Sequence, residues 1–133
     1  MSDTVTMFVN GQAMSGGEFN DAFASARFLG PVRTAPEYRF FSFHDAFPGL
    51  AAVSQGGWSV PGEIYEISYT DLREKLLPRE PAELELSVIK LEDGRDSLSM
   101  VCRGIPSDHD NVYEITAAGG WRDHLASLST GRS

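Results

Sequence analysis

Three short segments of the sequence combine residue types and spacings that could support ligand binding or catalysis. The first is the run Phe8-Val-Asn-Gly-Gln-Ala-Met14. Gly11 permits backbone conformations that other residues resist and can expose amide N–H groups. Exposed N–H groups beside a helix start suit a carboxylate or carbonyl oxygen; the alternative is a plain strand-to-helix turn. The spacing matches neither the dinucleotide-binding fingerprint nor the phosphate-binding loop.

The other two segments carry carboxylates. Glu80 lies in Leu76-Leu-Pro-Arg-Glu-Pro81, and a carboxylate held near apolar residues can have a raised pKa and act as a general acid or base. A solvated glutamate at a helix end is the alternative. Glu63 and Tyr65 are two residues apart and therefore share one strand face. They form either a polar wall of a pocket or an exposed pair.

The remaining reactive side chains are histidines and one cysteine. No two histidines have a metal-ligand spacing and there is no cysteine pair, so we expect neither a metal site nor another cofactor. Asp108-His109-Asp110 is typical of a solvated turn, and His44 is either an acid/base group or a structural histidine. Cys102 alternates with Leu98 and Met100 on an apolar strand face, which indicates an inert buried thiol.

The first of the elements that must position these residues is a strand over Val5–Val9, ended by Asn10-Gly11. Ser15-Gly-Gly-Glu18 has the spacing of a capping box. It precedes a predicted helix, in which apolar residues recur at helical spacing and therefore share one face. That face comprises Phe19, Ala22, Phe23 and Ala26.

The middle of the chain predicts aromatic and β-rich strands. Gly30-Pro31 and Ala35-Pro36 interrupt the chain before residues 37–44, a strand with aromatics on both faces and therefore buried on both sides. Pro48-Gly49 predicts a turn, and Leu50–Ser54 a short strand. Residues 59–68 form the most strand-like stretch of the sequence.

The second half predicts a short helix, a hairpin and a final helix. Asp71 caps the short helix that follows residues 59–68, and this helix buries Leu72 and Leu76. Asp93-Gly94 between two β-patterned runs predicts a hairpin, and a polar loop covers 104–111. A final helix is predicted after Gly119-Gly120, because Trp121, Leu125 and Leu128 recur at helical spacing.

These elements give about six or seven short strands with two or three short helices. Such close spacing predicts an α+β fold, a small barrel or curled mixed sheet, and excludes a doubly wound parallel sheet. We expect one domain over residues 1–128 and a frayed tail over 129–133.

Composition and charge limit the classes of partner and the cellular compartment that we expect for this protein. The net charge of −8 and the lack of a Lys/Arg cluster argue against nucleic acid and anionic membranes. No stretch approaches the roughly 20 apolar residues of a membrane helix. The N-terminal residues do not resemble a signal peptide, and the single cysteine suits a reducing compartment, so we expect a cytoplasmic protein.

In their order along the chain, several motifs resemble the C-terminal domain of allophanate hydrolases and its freestanding relatives, within the gamma-glutamylcyclotransferase-like superfamily. The resemblance covers roughly residues 7–125. The motifs are Val9-Asn-Gly-x-x-Met14, Phe28-Leu-Gly-Pro31, Thr34-Ala-Pro-x-Tyr-Arg39, Phe47-Pro-Gly-Leu50, Gly56-Gly57, Val60-x-Gly-Glu-Ile-Tyr65, Leu91-x-Asp-Gly94 and Gly119-Gly-Trp-Arg122.

The resemblance implies a small β-barrel flanked by short helices, with a ligand cavity beside the first strand-to-helix loop. In gamma-glutamylcyclotransferases that loop has roughly the sequence Tyr-Gly-Ser-Leu and holds the carboxylate end of the substrate; the matching residues here are 10–13. Their acid/base glutamate follows a short helix, and Glu80 is its counterpart. In allophanate hydrolases the loop carries a proposed acid/base histidine, where this chain has Ala13.

Two functions follow from the resemblance. One is a small enzyme acting on a carboxylated, amide or ureido substrate; the other is a non-catalytic module that binds such a ligand or serves a separate amidase in urea or allophanate breakdown. As a protein partner we expect a second copy of the chain, in a homodimer, or a separate amidase. A structural or protein-interaction domain with a vestigial cavity is the third hypothesis. Glu80 is the predicted catalytic residue. The predicted substrate-binding residues are Asn10, Gly11, Gln12, Ala13, Met14, Tyr38, Glu63 and Tyr65.

Overall fold

Eight strands form the framework of the computed structural model, which describes residues 4–11, 14–15, 20–104, 112–118 and 120–130. The strands are β1 (Thr4–Val9), β2 (Arg27–Arg33), β3 (Tyr38–Phe43), β4 (Phe47–Ala52), β5 (Pro61–Ser68), β6 (Leu84–Lys90), β7 (Asp96–Cys102) and β8 (Val112–Glu114). The helices are α1 (Tyr69–Asp71), which continues as a π-helical turn (Leu72–Leu76) and a 3-10 turn (Leu77–Arg79), and α2 (Trp121–Thr130). Two further 3-10 turns cover Asn20–Phe23 and Thr116–Ala118.

All eight strands belong to one mixed sheet. Seven of them follow the order β2-β5-β1-β7-β4-β3-β8, and the eighth strand, β6, pairs with β7. β1 and β4 both run parallel to β7, and the other pairs are antiparallel. Thr34, just after β2, bridges to Leu91, just after β6, so the sheet curls back on itself. The predicted α+β fold, a small mixed barrel flanked by short helices, is confirmed.

The β6–β7 hairpin forms where the Asp-Gly signal predicted it. Gly94 has a φ of +94°, a conformation that favours glycine. The Asp93 carboxylate accepts a hydrogen bond from the Arg95 backbone N–H at 3.0 Å. Local turn chemistry therefore sets the register of these two strands.

β3 is buried on both faces, as its aromatic residues predicted. Tyr38 and Phe40 pack into the main hydrophobic core. Phe41 and Phe43 pack into a second cluster with Leu84. The strand thus separates two apolar layers, one inside the barrel and one beneath the start of β6.

The helical segment after β5 buries Leu72 and Leu76, as expected. Its cap is one turn earlier than predicted, because the Ser68 hydroxyl, not Asp71, accepts the first free N–H, that of Asp71, at 3.1 Å. The last 3-10 turn ends at Arg79. Glu80 therefore leaves the helix in an extended conformation.

Two predicted breaks are wrong. Gly30-Pro31 lies inside β2. A register shift between Phe28 and Gly30 accommodates the glycine. Because β2 is the first strand in the order of the sheet, Pro31 can lie in it without breaking a hydrogen-bonded ladder on both sides. Pro48-Gly49 lies inside β4. The chain reverses instead at His44 and Asp45, which both have positive φ.

The first predicted helix is reduced to the 3-10 turn Asn20–Phe23 within the described residues, although Ala22 and Phe23 are buried as expected. Residues 16–19, all of the predicted polar loop 104–111 except Gly104, and the last residues 131–133 lie outside the described residues. The short strand β8 was not predicted. Its pairing with β3 joins residues about 70 positions apart in sequence.

Candidate functional site

A cavity of about 350 Å³ opens beside the end of β1. Four parts of the chain form its walls: the end of β1 with the glycine turn, the start of β4, the segment after the helical turns, and the middle of β7. The lining residues are Met7, Phe8, Val9, Asn10, Gly11, Ala46, Phe47, Pro48, Arg79, Glu80, Pro81, Leu84, Ser99 and Met100. Glu80, Asn10 and Gly11, predicted from separate motifs, thus line one space.

Glu80 lines this cavity and is half-buried. Its backbone N–H donates to the Leu77 carbonyl at 3.1 Å, which fixes the chain where it leaves the last helical turn. Burial raises the pKa of its carboxyl to about 7. Within the described part of the chain no cation or donor offsets this burial, so the group can both take up and release a proton near neutral pH.

Asn10 brings an unpaired donor to the same cavity. Its side chain is only 8% exposed, and its Nδ2 has no hydrogen-bond partner among the described residues. A buried N–H without a partner costs about 1–3 kcal/mol, so such groups are rare in native proteins unless they serve a ligand, water or strain.

Position 11 requires glycine because there is no room there for a Cβ atom. A Cβ atom at this position would lie 2.6 Å from Cδ of Pro48, and the φ of Gly11 is not in the left-handed region. Its carbonyl accepts the Met14 N–H at 3.1 Å, which closes the turn. The sequence interpretation attributed this glycine to backbone freedom; the reason in the structure is the close approach of Pro48 on β4.

Glu63 does not line this cavity; it fastens the turn. Its carboxylate accepts the Ser15 backbone N–H at 2.7 Å and the Ser15 hydroxyl at 2.8 Å. Arg122 Nη2, on α2, donates to the same carboxylate at 3.2 Å and to the Ser15 carbonyl at 2.6 Å. Burial opposes ionisation, but the bonds from Ser15 and Arg122 outweigh it and lower the pKa of Glu63.

Three other predicted ligand-binding residues, Tyr65, Tyr38 and Met14, are described by the structure and lie outside the cavity lining. The Tyr65 hydroxyl accepts from Asn20 at 3.0 Å and contacts Glu63 at 3.4 Å, and burial together with the Glu63 charge raises its pKa. Tyr38 lines a second cavity, of about 260 Å³, and its hydroxyl accepts the Lys90 N–H at 3.0 Å. Met14 is part of the core. Gln12 and Ala13 lie outside the described residues.

A family model of the allophanate hydrolase C-terminal domain matches residues 5–126. The chain belongs to the allophanate hydrolase C-terminal domain family. The resemblance found in the sequence motifs is thereby confirmed. No curated protein matches the sequence.

Solved structures share the fold of this allophanate hydrolase C-terminal domain family member. A uropathogenic E. coli-specific protein is 33% identical, with a TM-score of 0.81 over 93% of this chain and 97% of that chain. Kluyveromyces lactis allophanate hydrolase is 20% identical, with a TM-score of 0.86 over 95% of this chain and 22% of that chain. A gamma-glutamyl cyclotransferase is 11% identical, with a TM-score of 0.61 over 97% of this chain and 81% of that chain.

The motif Gly119-Gly-Trp-Arg122 of this family member has a structural explanation at three of its positions; Gly119 lies outside the described residues. Gly120 has a φ of +143° and approaches Pro61 closely. Trp121 is 2% exposed and belongs to the core. Arg122 completes the Glu63 network. The motif therefore holds α2 against β5 and the glycine turn.

Sequence reasoning missed a second polar network, centred on Asp45. One oxygen of this carboxylate accepts from the Ser42 hydroxyl at 2.8 Å, contacts His124 Nε2 at 2.7 Å and accepts from the Tyr113 hydroxyl. Partial burial opposes ionisation, but these bonds outweigh it and lower the pKa of Asp45. No spacing in the sequence indicates the network, since Asp45 and His124 are 79 residues apart.

The remaining reactive side chains of this family member are placed as follows. His44 is exposed. Cys102 is buried, and burial raises the pKa of its thiol to about 12, as expected for an inert packing thiol. Asp108-His109-Asp110 lies outside the described residues. Within the described ranges no group of His, Cys, Asp and Glu side chains could hold a metal ion. Nor is any described helix long and apolar enough to span a membrane.

Proposed function

We propose that this protein is a small enzyme acting on a small carboxylated, amide or ureido compound, with Glu80 as its acid/base group. One observation carries the proposal: a carboxyl group with a pKa of about 7 lines the same cavity as the glycine turn. A general base or acid works best when its pKa is near the working pH. Membership of the allophanate hydrolase C-terminal domain family, together with the fold shared with a gamma-glutamyl cyclotransferase, supports the proposed substrate class.

The proposed chemistry is proton transfer during acyl transfer at nitrogen. The ionised Glu80 takes a proton from the attacking nitrogen or water as the new bond to the carbonyl carbon forms. It then returns that proton to the leaving nitrogen as the old C–N bond breaks. Asn10 Nδ2 donates to the carbonyl oxygen, whose negative charge grows as the bond forms; a preorganised donor of this kind is worth about 3 kcal/mol.

The test compares turnover by the wild-type chain and by Glu80→Gln. Substrates are gamma-glutamyl dipeptides, with 5-oxoproline as the product, and allophanate or simple ureido compounds, with ammonia as the product. We expect turnover of at least one class to fall by about 100-fold or more in Glu80→Gln. Glu83→Gln, an exposed glutamate three residues further on, is the matched control and keeps full activity. Equal turnover in Glu80→Gln would rule out the role of Glu80.

The alternative function is a non-catalytic module that binds the ligand for a separately encoded amidase. Its support is that the Kluyveromyces lactis allophanate hydrolase carries this fold as 22% of a longer chain. We expect such a module to co-purify with the amidase as a stable complex in size-exclusion chromatography. Ligand binding without turnover in any of the above assays, together with such a complex, would favour this alternative.

A further inference from the structure

The walls of the Glu80 cavity are mostly apolar. Phe47 and Pro48 line it from β4, and Met100 from β7. Pro81 and Leu84 line it from the segment after Glu80. A polar ligand that touches these walls loses hydration without gaining hydrogen bonds. The cavity is therefore shaped for a ligand that presents apolar surface to most of its lining.

Two of the polar side chains on the cavity are already engaged. The Arg79 guanidinium makes a two-point contact with the Asp21 carboxylate, at 2.7 and 2.8 Å. The Ser99 hydroxyl donates to the Met100 carbonyl at 3.3 Å. Among the described lining residues, these contacts leave two polar side chains to meet a ligand. They are the Glu80 carboxyl and the Asn10 N–H, neither of which has a side-chain partner in the described part of the chain.

These two groups define a complementary head group. Asn10 Nδ2 is a neutral donor, more than nine-tenths buried, that requires an acceptor oxygen. Glu80, when ionised, requires a donor. A primary amide or ureido group supplies both from one planar unit, as a carbonyl oxygen and an N–H. A carboxylate supplies only acceptors and would face Glu80 with like charge.

Resting on the proposed function, we infer that the substrate of this site is a neutral amide or ureido group attached to an apolar body, such as a short alkyl or aryl chain. Asn10 holds the carbonyl oxygen, Glu80 accepts the N–H, and the Phe47, Leu84 and Met100 walls cover the body. The cavity volume, about 350 Å³, is near the lower end of the range of small-molecule sites, roughly 300–1,000 Å³. An all-polar compound such as allophanate leaves most of this lining without a complementary partner.

The test is titration calorimetry of the full chain at pH 7.5 with acetamide, butyramide, hexanamide and butylurea. Urea, biuret and hexanoate are the contrasting probes. We expect affinity to rise about fourfold for each methylene until the cavity is full. We also expect hexanamide to bind at least about tenfold more tightly than hexanoate, since hexanoate meets the Glu80 charge and the Arg79 guanidinium on the cavity is already paired with Asp21.

Variants separate the head group from the body. Asn10→Leu should lower hexanamide affinity about tenfold; Asn10→Asp, which keeps the size of the side chain, should do the same if the leucine variant folds poorly. Val88→Ala, outside this cavity lining, is the control and should bind as the wild type does. Equal affinity for urea and hexanamide would overturn the apolar body. Tighter binding of hexanoate, or no binding of any amide, would overturn the neutral head.

These outcomes are distinct from failure of the proposed function. If a wholly polar substrate were turned over in a Glu80-dependent reaction, the proposed function would stand and this inference would be wrong. If the alkyl amides bound as expected and Glu80→Gln left turnover of every substrate unchanged, the binding inference would stand and the acid/base role would be wrong.

Discussion

The carboxylate of Glu63 binds both the backbone N–H and the hydroxyl of Ser15, at 2.7 and 2.8 Å. Because Glu63 lies on β5 and Ser15 ends the described part of the glycine turn, this contact fixes the turn to the sheet. Asn10 and Gly11, on the other arm of the turn, face the cavity. Glu63 is thus a positioning residue for the candidate site.

Replacing Glu63 by glutamine tests this positioning role. The amide has one acceptor oxygen in place of two, so its NH₂ group must face a donor, either the Ser15 backbone N–H or the Ser15 hydroxyl and the Arg122 guanidinium. We expect Glu63→Gln to lower the free energy of unfolding by about 1–3 kcal/mol and to weaken binding of hexanamide. Urea denaturation and calorimetry measure the two effects.

Glu66→Gln is the matched control, because Glu66 lies on the same strand and its carboxylate accepts an exposed hydrogen bond from the Thr4 hydroxyl at 3.2 Å. Its loss should change stability by less than about 0.5 kcal/mol. Equal losses of unfolding free energy in the two variants would show that the Glu63 network stabilises the fold no more than an exposed hydrogen bond does.

The sequence predicts local features well and the contacts between distant residues poorly. The Asp93-Gly94 hairpin and strand β5 follow from residues adjacent in sequence, as turn chemistry and alternation require. Gly30-Pro31, a break by local rules, lies inside β2 because pairing with β5 and a bulge accommodate both residues. Tertiary pairing, which a single sequence does not display, overrides the local preference there.

The candidate site divides in the same way. Residue types alone indicate Glu80 and the glycine turn as candidates, and the family resemblance assigns them to one site; Glu80, Asn10 and Gly11 do line one cavity. The contact between Glu63 and Ser15 spans 48 positions and that between Asp45 and His124 spans 79. No spacing rule applies at such separations, so the sequence identified Glu63 and Tyr65 as candidates but not their partners.

The pH dependence of stability tests the environment of Glu80. Its pKa is about 7 in the folded protein against an ordinary 4.5, so between these values the folded state binds more protons than the unfolded state. Stability therefore falls as the pH rises from about 5 to 7. The loss is at most about 3 kcal/mol, since each pKa unit corresponds to about 1.4 kcal/mol.

Glu80→Gln removes the titrating group, so we expect it to be more stable than the wild type at pH 8 and about equally stable at pH 4.5. Urea denaturation at both pH values gives the comparison. Glu83→Gln serves again as the exposed control and should follow the wild-type curve. Parallel curves for wild type and Glu80→Gln would contradict the raised pKa of Glu80.

The contact between Gly11 and Pro48 gives a paired prediction. Alanine at position 11 would place its Cβ 2.6 Å from the Pro48 ring, so we expect Gly11→Ala to destabilise the fold by about 1–3 kcal/mol. Removing the ring in Gly11→Ala/Pro48→Ala should recover part of that loss. A double-mutant cycle by thermal and urea denaturation measures the coupling; additive effects would mean that the two residues do not limit each other.

His44 and Asp45 form a natural pair for testing the second polar network, because both have positive φ, 59° and 55°. Glycine relieves backbone strain at either position. At exposed His44 nothing else is lost, so His44→Gly should be neutral or slightly stabilising. At Asp45, glycine also removes the acceptor shared by Ser42 and Tyr113 and the partner of His124, which is 5% exposed.

We therefore expect Asp45→Gly to lower the free energy of unfolding by about 2–3 kcal/mol, the cost of leaving buried polar groups unpaired. Amide hydrogen exchange in α2 should rise as well, because the bond to His124 ties that helix to the β3–β4 turn. If Asp45→Gly and His44→Gly behaved alike in both measurements, the hydrogen bonds of the Asp45 carboxylate would not stabilise the fold, and the network would not hold α2 in place.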